Sequence, residues 1–190
     1  MNIRTLSRAT LAALGVAEVA LAAQRWQRRR TTFAAATRRA AELGRPLVVI
    51  GDPHAGAHTS LMPAYGCGDV CVDLRGCPRC VNHKAADITR GPIDGLADDS
   101  AIVFVSCVFE YTEDLAAARR EVLRIAGIPA NVFAVTVQPW TFTAALYPGA
   151  RWTGTAPDTM SPVPLGAKVG AGAALAALLV GSILPRRGAP

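Results

Sequence analysis

The stretch LVVIGDPHAGAHTSLMPAYGCGDVCVD, residues 47–73, decides the fold. Its first four residues form an uninterrupted apolar run with no polar position to mark a wet face, which predicts a strand covered on both sides. Gly51 and Gly56 bracket a proline and polar residues immediately afterwards, predicting a tight turn at the carboxyl end of that strand. Residues 69–73, DVCVD, predict a second short strand. Its closing carboxylate, Asp73, lies about twenty residues past the turn, where dinucleotide-binding and related folds place an acid that accepts hydrogen bonds from a ribose.

On the carboxyl side, residues 85–88, which include Asp87, predict a third short strand, and residues 100–107, SAIVFVSC, a strongly apolar and β-branched fourth. A helix is expected next, with Thr112 as its N-cap and Leu115, Ala118, Val122 and Ile125 along one face. Gly127 and Pro129 stop it. Residues 131–137 supply a fifth strand. Upstream, residues 31–44 predict a separate amphipathic helix that buries Phe33, Ala36, Ala40 and Leu43 and ends at Gly44. The fold class expected is α/β: a Rossmann-like three-layer sandwich with a mostly parallel five-strand sheet, plus an N-terminal helix and a C-terminal apolar helix.

These pieces, in this order and spacing over residues 47–137, resemble the class I S-adenosylmethionine-dependent methyltransferases of the small type-11 sort. The resemblance implies a cofactor site built from Gly51, Asp52 and Gly56 at the methionine end, Asp73 on the ribose, and Asp87 with Ile88 beside the adenine. The sequence also departs from the family. Val49 stands where an acid is usual, and Pro53 and Ala55 interrupt the Gly-x-Gly-x-Gly loop, removing an N–H and adding side chains where a ligand approaches. The antiparallel strands that usually close the sheet have no clear counterpart, so a truncated fold is expected. No residue can be assigned methyl-transfer chemistry. Glu110 and Tyr111 follow the fourth strand, where such enzymes carry groups facing substrate.

Charge divides the 190 residues into three. Residues 1–45 carry nine Arg against Glu18 and Glu42, net +7; residues 46–158 carry eight basic and twelve acidic groups, net −4; the remainder carries +3. An acidic centre argues against nucleic acid as the main partner, because phosphate binding needs a basic face on the domain itself. The organisation expected is a basic, apolar N-terminal helix over 1–30, the methyltransferase-like domain over 31–138, a Pro/Thr-rich aromatic connector over 139–162 and an apolar anchor helix with a basic tail over 163–190. Residues 163–184 contain one charge, Lys168, and their last sixteen residues reach about 24 Å as a helix, a little short of the hydrocarbon core. Partners expected are therefore a membrane, reached through 163–184 with 6–23 as a second candidate contact, or a protein assembly. The location follows as membrane-associated, with organelle targeting by the arginine-rich N-terminus as a competing use of that segment.

Cys67, Cys71, Cys77 and Cys80 fall within fourteen residues, and Cys77-Pro-Arg-Cys80 has the spacing of a zinc knuckle or a redox pair, with His83 in reach of a metal. Zinc, a disulfide and reduced structural thiols stay open, and the expectation is no resident metal. Cys107, at the end of an apolar strand, reads as a small core residue. His54 and His58 flank the turn. Three functions compete: a membrane- or assembly-anchored methyltransferase-like protein with reduced or lost activity, an active S-adenosylmethionine-dependent methyltransferase, and a cysteine-rich zinc module.

Overall fold

The computed structural model describes residues 3–54, 64–136, 151–153 and 160–162. Five strands, β1 (Leu47–Ile50), β2 (Val70–Asp73), β3 (His83–Ala85), β4 (Ile102–Ser106) and β5 (Val132–Val135), form one sheet in the order β3-β2-β1-β4-β5. Every pairing is parallel, and the register sets Val49 beside Cys71 on one side and Phe104 on the other. All four residues of β1 and all five of β4 are buried, as a strand flanked by neighbours and covered on both faces must be.

Because side chains alternate across a strand, the sheet has two distinct cores. Val48, Ile50, Val103 and Val105 point to one, where Ala118, Val122 and Ile125 of α2 (Leu115–Ala126) cover them. Leu47, Val49, Ile102 and Phe104 point to the other, where Ala36 and Ala40 of α1 (Ile3–Leu43) pack, with Phe33 against the same cluster. Two alanines let the helix axis approach the sheet closely. The three layers expected from the sequence are therefore present, as a parallel five-strand α/β sheet between helices.

Several local expectations change. The two helices expected over 6–23 and 31–44 are one helix of 41 residues, about 60 Å long. No proline interrupts residues 3–43 and the last glycine before Gly44 is Gly15, so nothing stops the hydrogen-bond ladder between them. The third strand is His83–Ala85 rather than 85–88. It is an edge strand defined by its pairing with β2, while Ile88 turns inward into the core. The cap of α2 is Asp114, whose Oδ1 accepts from Ala117 N at 2.8 Å. Thr112 is diverted: its hydroxyl donates to the Phe109 carbonyl and closes the short 3-10 turn Phe109–Tyr111. An antiparallel pair does form, β6 (Arg151–Thr153) with β7 (Met160–Pro162), as a separate two-stranded sheet rather than as an extension of the main one.

No described helix is long and apolar enough to cross a membrane. The anchor expected over 163–184, together with Gly56, His58 and most of the connector, lies outside the described residues.

Candidate functional site

The chain runs from β1 to β2 to β3 in one direction along the sheet, then returns to place β4 on the other side of β1. Loops diverge at such a reversal and leave a crevice beyond the carboxyl ends of the strands, the usual ligand position in open α/β sheets. A cleft of about 590 Å3 opens at this point, bordered by Ile50 and Gly51 from β1, Asp73 and Leu74 from β2, Asp87 to Arg90 after β3, and Cys107, Val108 and Tyr111 after β4. That volume is in the range of small-molecule and cofactor sites.

Gly51 lets the end of β1 pack closely against the end of β4. Its φ is +99°, and a Cβ there would sit 2.7 Å from the Ser106 carbonyl oxygen and 2.8 Å from Val108 Cγ2. Any other residue would both strain the turn and push β4 away from β1. Its N–H donates to the Val72 carbonyl at 2.8 Å, which ties the turn to β2. The next residue, Asp52, donates its N–H to Asp73 Oδ2 at 3.1 Å and accepts the His54 N–H on Oδ1 at 2.8 Å.

Asp73 is fixed from both sides, since Oδ1 also accepts from Arg75 N at 3.1 Å. Among the described residues each oxygen thus receives one backbone N–H, which leaves a second lone pair. A carboxylate so held can take two hydroxyl donors from a ligand without reorienting. Asp87 is built differently. Its Oδ1 accepts from the Thr89 hydroxyl at 2.7 Å and the Thr89 N–H at 2.9 Å, and Oδ2 faces Arg90 Nε at 3.1 Å. The Thr89 hydroxyl and N–H, and then Arg90, hold the Asp87 carboxyl below the usual carboxylate range, so it stays ionised at neutral pH. Its oxygens are engaged within the Asp87–Arg90 turn, which borders the cleft.

Leu74 is a cleft residue the sequence did not announce. It follows Asp73 directly, borders the cleft and is 68% exposed. Its signal was position alone: the residue after the strand-ending acid. Ile88 is buried and borders the same space, so the cleft is lined by apolar groups as well as by the Asp73 carboxylate.

Glu110 and Tyr111 separate. Tyr111 borders the cleft, whereas Glu110 is fully buried and does not. Cys107 is not the core residue expected. It lies just past β4 with φ +53°, borders the cleft, and donates its N–H to the Val135 carbonyl at 2.7 Å. A non-glycine residue in this conformation carries about 1–3 kcal/mol of strain and concentrates at functional sites. Arg29 of α1 reaches Cys107: burial works against the guanidinium charge, but a hydrogen bond to Cys107 and the proximity of Tyr65 and Glu110 outweigh it and raise the Arg29 pKa.

The cysteines fall into two pairs on the α1 face. Cys67 and Cys80 form a disulfide with Cα atoms 5.7 Å apart, so the Cys77/Cys80 motif does not act as a unit. Cys71 and Cys77 are free, fully buried and hydrogen-bonded to each other, and burial pushes the Cys77 thiol up to about 12. Both are inert thiols at neutral pH. His83 is not part of any cluster with metal-ligand spacing among the described residues. Its Nδ1 lies 3.0 Å from the Cys80 carbonyl oxygen.

No family model, no curated protein and no solved structure matches the chain.

Proposed function

We propose that the cleft binds an adenosine-bearing cofactor, S-adenosylmethionine or its demethylated product, and that the chain is a methyltransferase-like domain attached through residues 163–184 to a membrane or assembly. The observation that carries this is the anchored Asp73 carboxylate bordering, with Gly51, the cleft at the sheet's reversal point. The spare lone pairs of Asp73 suit the two ribose hydroxyls, with charge-assisted hydrogen bonds. Leu74 and Ile88 offer apolar surface to the adenine, beside the Asp87–Arg90 turn. The amino-acid end lies over Gly51 toward Cys107 and Tyr111. When bound, S-adenosylmethionine supplies an activated methyl group; these residues bind and orient it, and any transfer rests on positioning.

Calorimetric titration of the full chain with S-adenosylhomocysteine tests the proposal. Binding is expected, and Asp73→Asn weakens it by about 1.5–3 kcal/mol through loss of the charged acceptor. The amide oxygen can still accept from Asp52 N while the Arg75 N–H turns to water, so the turn is retained. Absence of heat at millimolar ligand overturns the proposal.

A further inference from the structure

The disulfide has a third neighbour. His54, Cys67 and Cys80 each offer a ligand atom, all within 4.8 Å of one another, and His54 Nε2 lies 3.8 Å from Cys67 Sγ. Zinc bonds of about 2.3 Å to sulfur and about 2.0–2.1 Å to nitrogen at tetrahedral angles put such ligand atoms roughly 3.5–3.8 Å apart. The histidine is already at chelating distance from Cys67. The two sulfurs have only to part.

We propose that the reduced chain binds one soft divalent cation, Zn2+ being the natural case, through His54 Nε2, Cys67 Sγ and Cys80 Sγ, and that the disulfide and the metal are alternative occupants of this site. Contacts other than the S–S bond hold the main chain at or beside each ligand. The Asp52 carboxylate holds the His54 N–H. Cys67 is followed by Gly68, where a Cβ would meet the Leu47 carbonyl oxygen at 2.5 Å, and by Asp69, whose N–H and Oδ2 clasp Leu47 O and N at 2.8 and 2.7 Å. The Cys80 N–H donates to the Cys77 carbonyl at 2.8 Å. Three separate segments thus deliver two sulfurs and an imidazole to one point, and neutral imidazole with two thiolates is a donor set that prefers zinc to hard cations.

The interconversion is a two-electron step. A dithiol reductant gives two electrons and two protons to the Cys67–Cys80 bond, yielding two thiols and its own disulfide. Zn2+ then displaces one proton from each thiol, so the filled site is neutral and two protons are released. Three protein ligands leave one coordination position for a further group, the arrangement of reactive rather than purely structural zinc.

The test uses the full chain, reduced anaerobically with a phosphine and titrated with Zn2+ against a chromophoric chelator. One metal per chain is expected after reduction and none in the oxidised chain. His54→Ala, Cys67→Ser and Cys80→Ser each weaken binding at least about tenfold, whereas Cys71→Ala leaves it unchanged, with a cooperative melt confirming that each variant folds. Cobalt loading of the unaltered protein needs no variant: a thiolate-to-cobalt charge-transfer band of two-sulfur intensity appears on reduction and disappears on reoxidation. No metal in the reduced chain, equal metal in both forms, or an unaltered cobalt spectrum in the Cys67→Ser, Cys80→Ser double variant overturns the proposal.

Discussion

On one face of the sheet, valines and Ile50 meet Ala118, Val122 and Ile125 of a capped amphipathic helix, with Ile88, Ile93 and Leu96 filling the margin. On the other, Leu47, Val49, Ile102 and Phe104 meet two alanines, the rings of Phe33 and Tyr65, and three of the cysteines. The contrast follows from the connections. β4 and β5 are joined through α2, which covers their face as a crossover helix does. β2 and β3 are joined by the nine residues 74–82, too few for a crossover helix, so Cys71, Cys77 and Cys80 fill the space and the bond to Cys67 closes it. One face is held mainly by aliphatic packing, with the Phe109 ring among it, the other by a cluster of rings and a covalent staple. The cleft lies between them, at the strand ends.

The ring face gives the largest predicted effect. Phe104 is fully buried with its centroid 5.6 Å from Phe33 and 5.2 Å from Tyr65. Phe104→Ala should cost about 3–5 kcal/mol in denaturant unfolding, against about 1 kcal/mol for Ile125→Val on the helix face. A loss below 1.5 kcal/mol for Phe104→Ala would show that the rings do not pack as a unit.

Next in size is the staple. The disulfide spans thirteen positions, and closing a loop of this length in the unfolded chain contributes about 3 kcal/mol. Reduction in the presence of a chelator should lower the unfolding midpoint accordingly. An unchanged midpoint would mean that Cys71 and Cys77 hold this face without help.

The smallest effect belongs to the helix face. Glu121 is buried, accepts from Ile93 N at 2.8 Å, and takes two bonds from Arg124. Burial would raise its pKa, but the Arg124 and Ile93 bonds win and lower it. A folded-state pKa below the unfolded one adds stability above the ordinary carboxyl range near pH 4.3, and that stability is lost as pH falls through the folded value. Glu121→Gln keeps an acceptor for Ile93 and should cost about 1–2 kcal/mol at pH 7, since Arg124 retains Asp98 and the Leu96 carbonyl. The loss should shrink below pH 4. A pH-independent difference would assign it to packing.

β1, β4 and the Gly51 turn were legible because their burial demands apolar, β-branched runs and a residue without a Cβ, and both demands leave marks in composition. The spacing to Asp73 was legible for the same reason, since it ends a strand of that kind. β3 was not: His83–Ala85 is an edge strand whose side chains are largely outside the core, so its position depends on pairing with β2 alone. The continuity of α1 was missed because its apolar pattern breaks near residue 25 while its backbone has no reason to. The cysteine pairing was closed to inspection, as four cysteines allow three connectivities. Leu74 and Cys107 belong to the cleft through backbone direction, which residue type does not encode.

The proposal that the strand ends, and neither covered face, receive an adenosine-bearing ligand has one direct test. Amide chemical shifts of the labelled full chain are followed while S-adenosylhomocysteine is added. Saturable changes are expected at Gly51, Asp52, Asp73, Leu74 and Thr89, with Ala36, Ala40 and Cys77 unmoved. No change at the strand ends, or changes centred on the cysteine face, would contradict it.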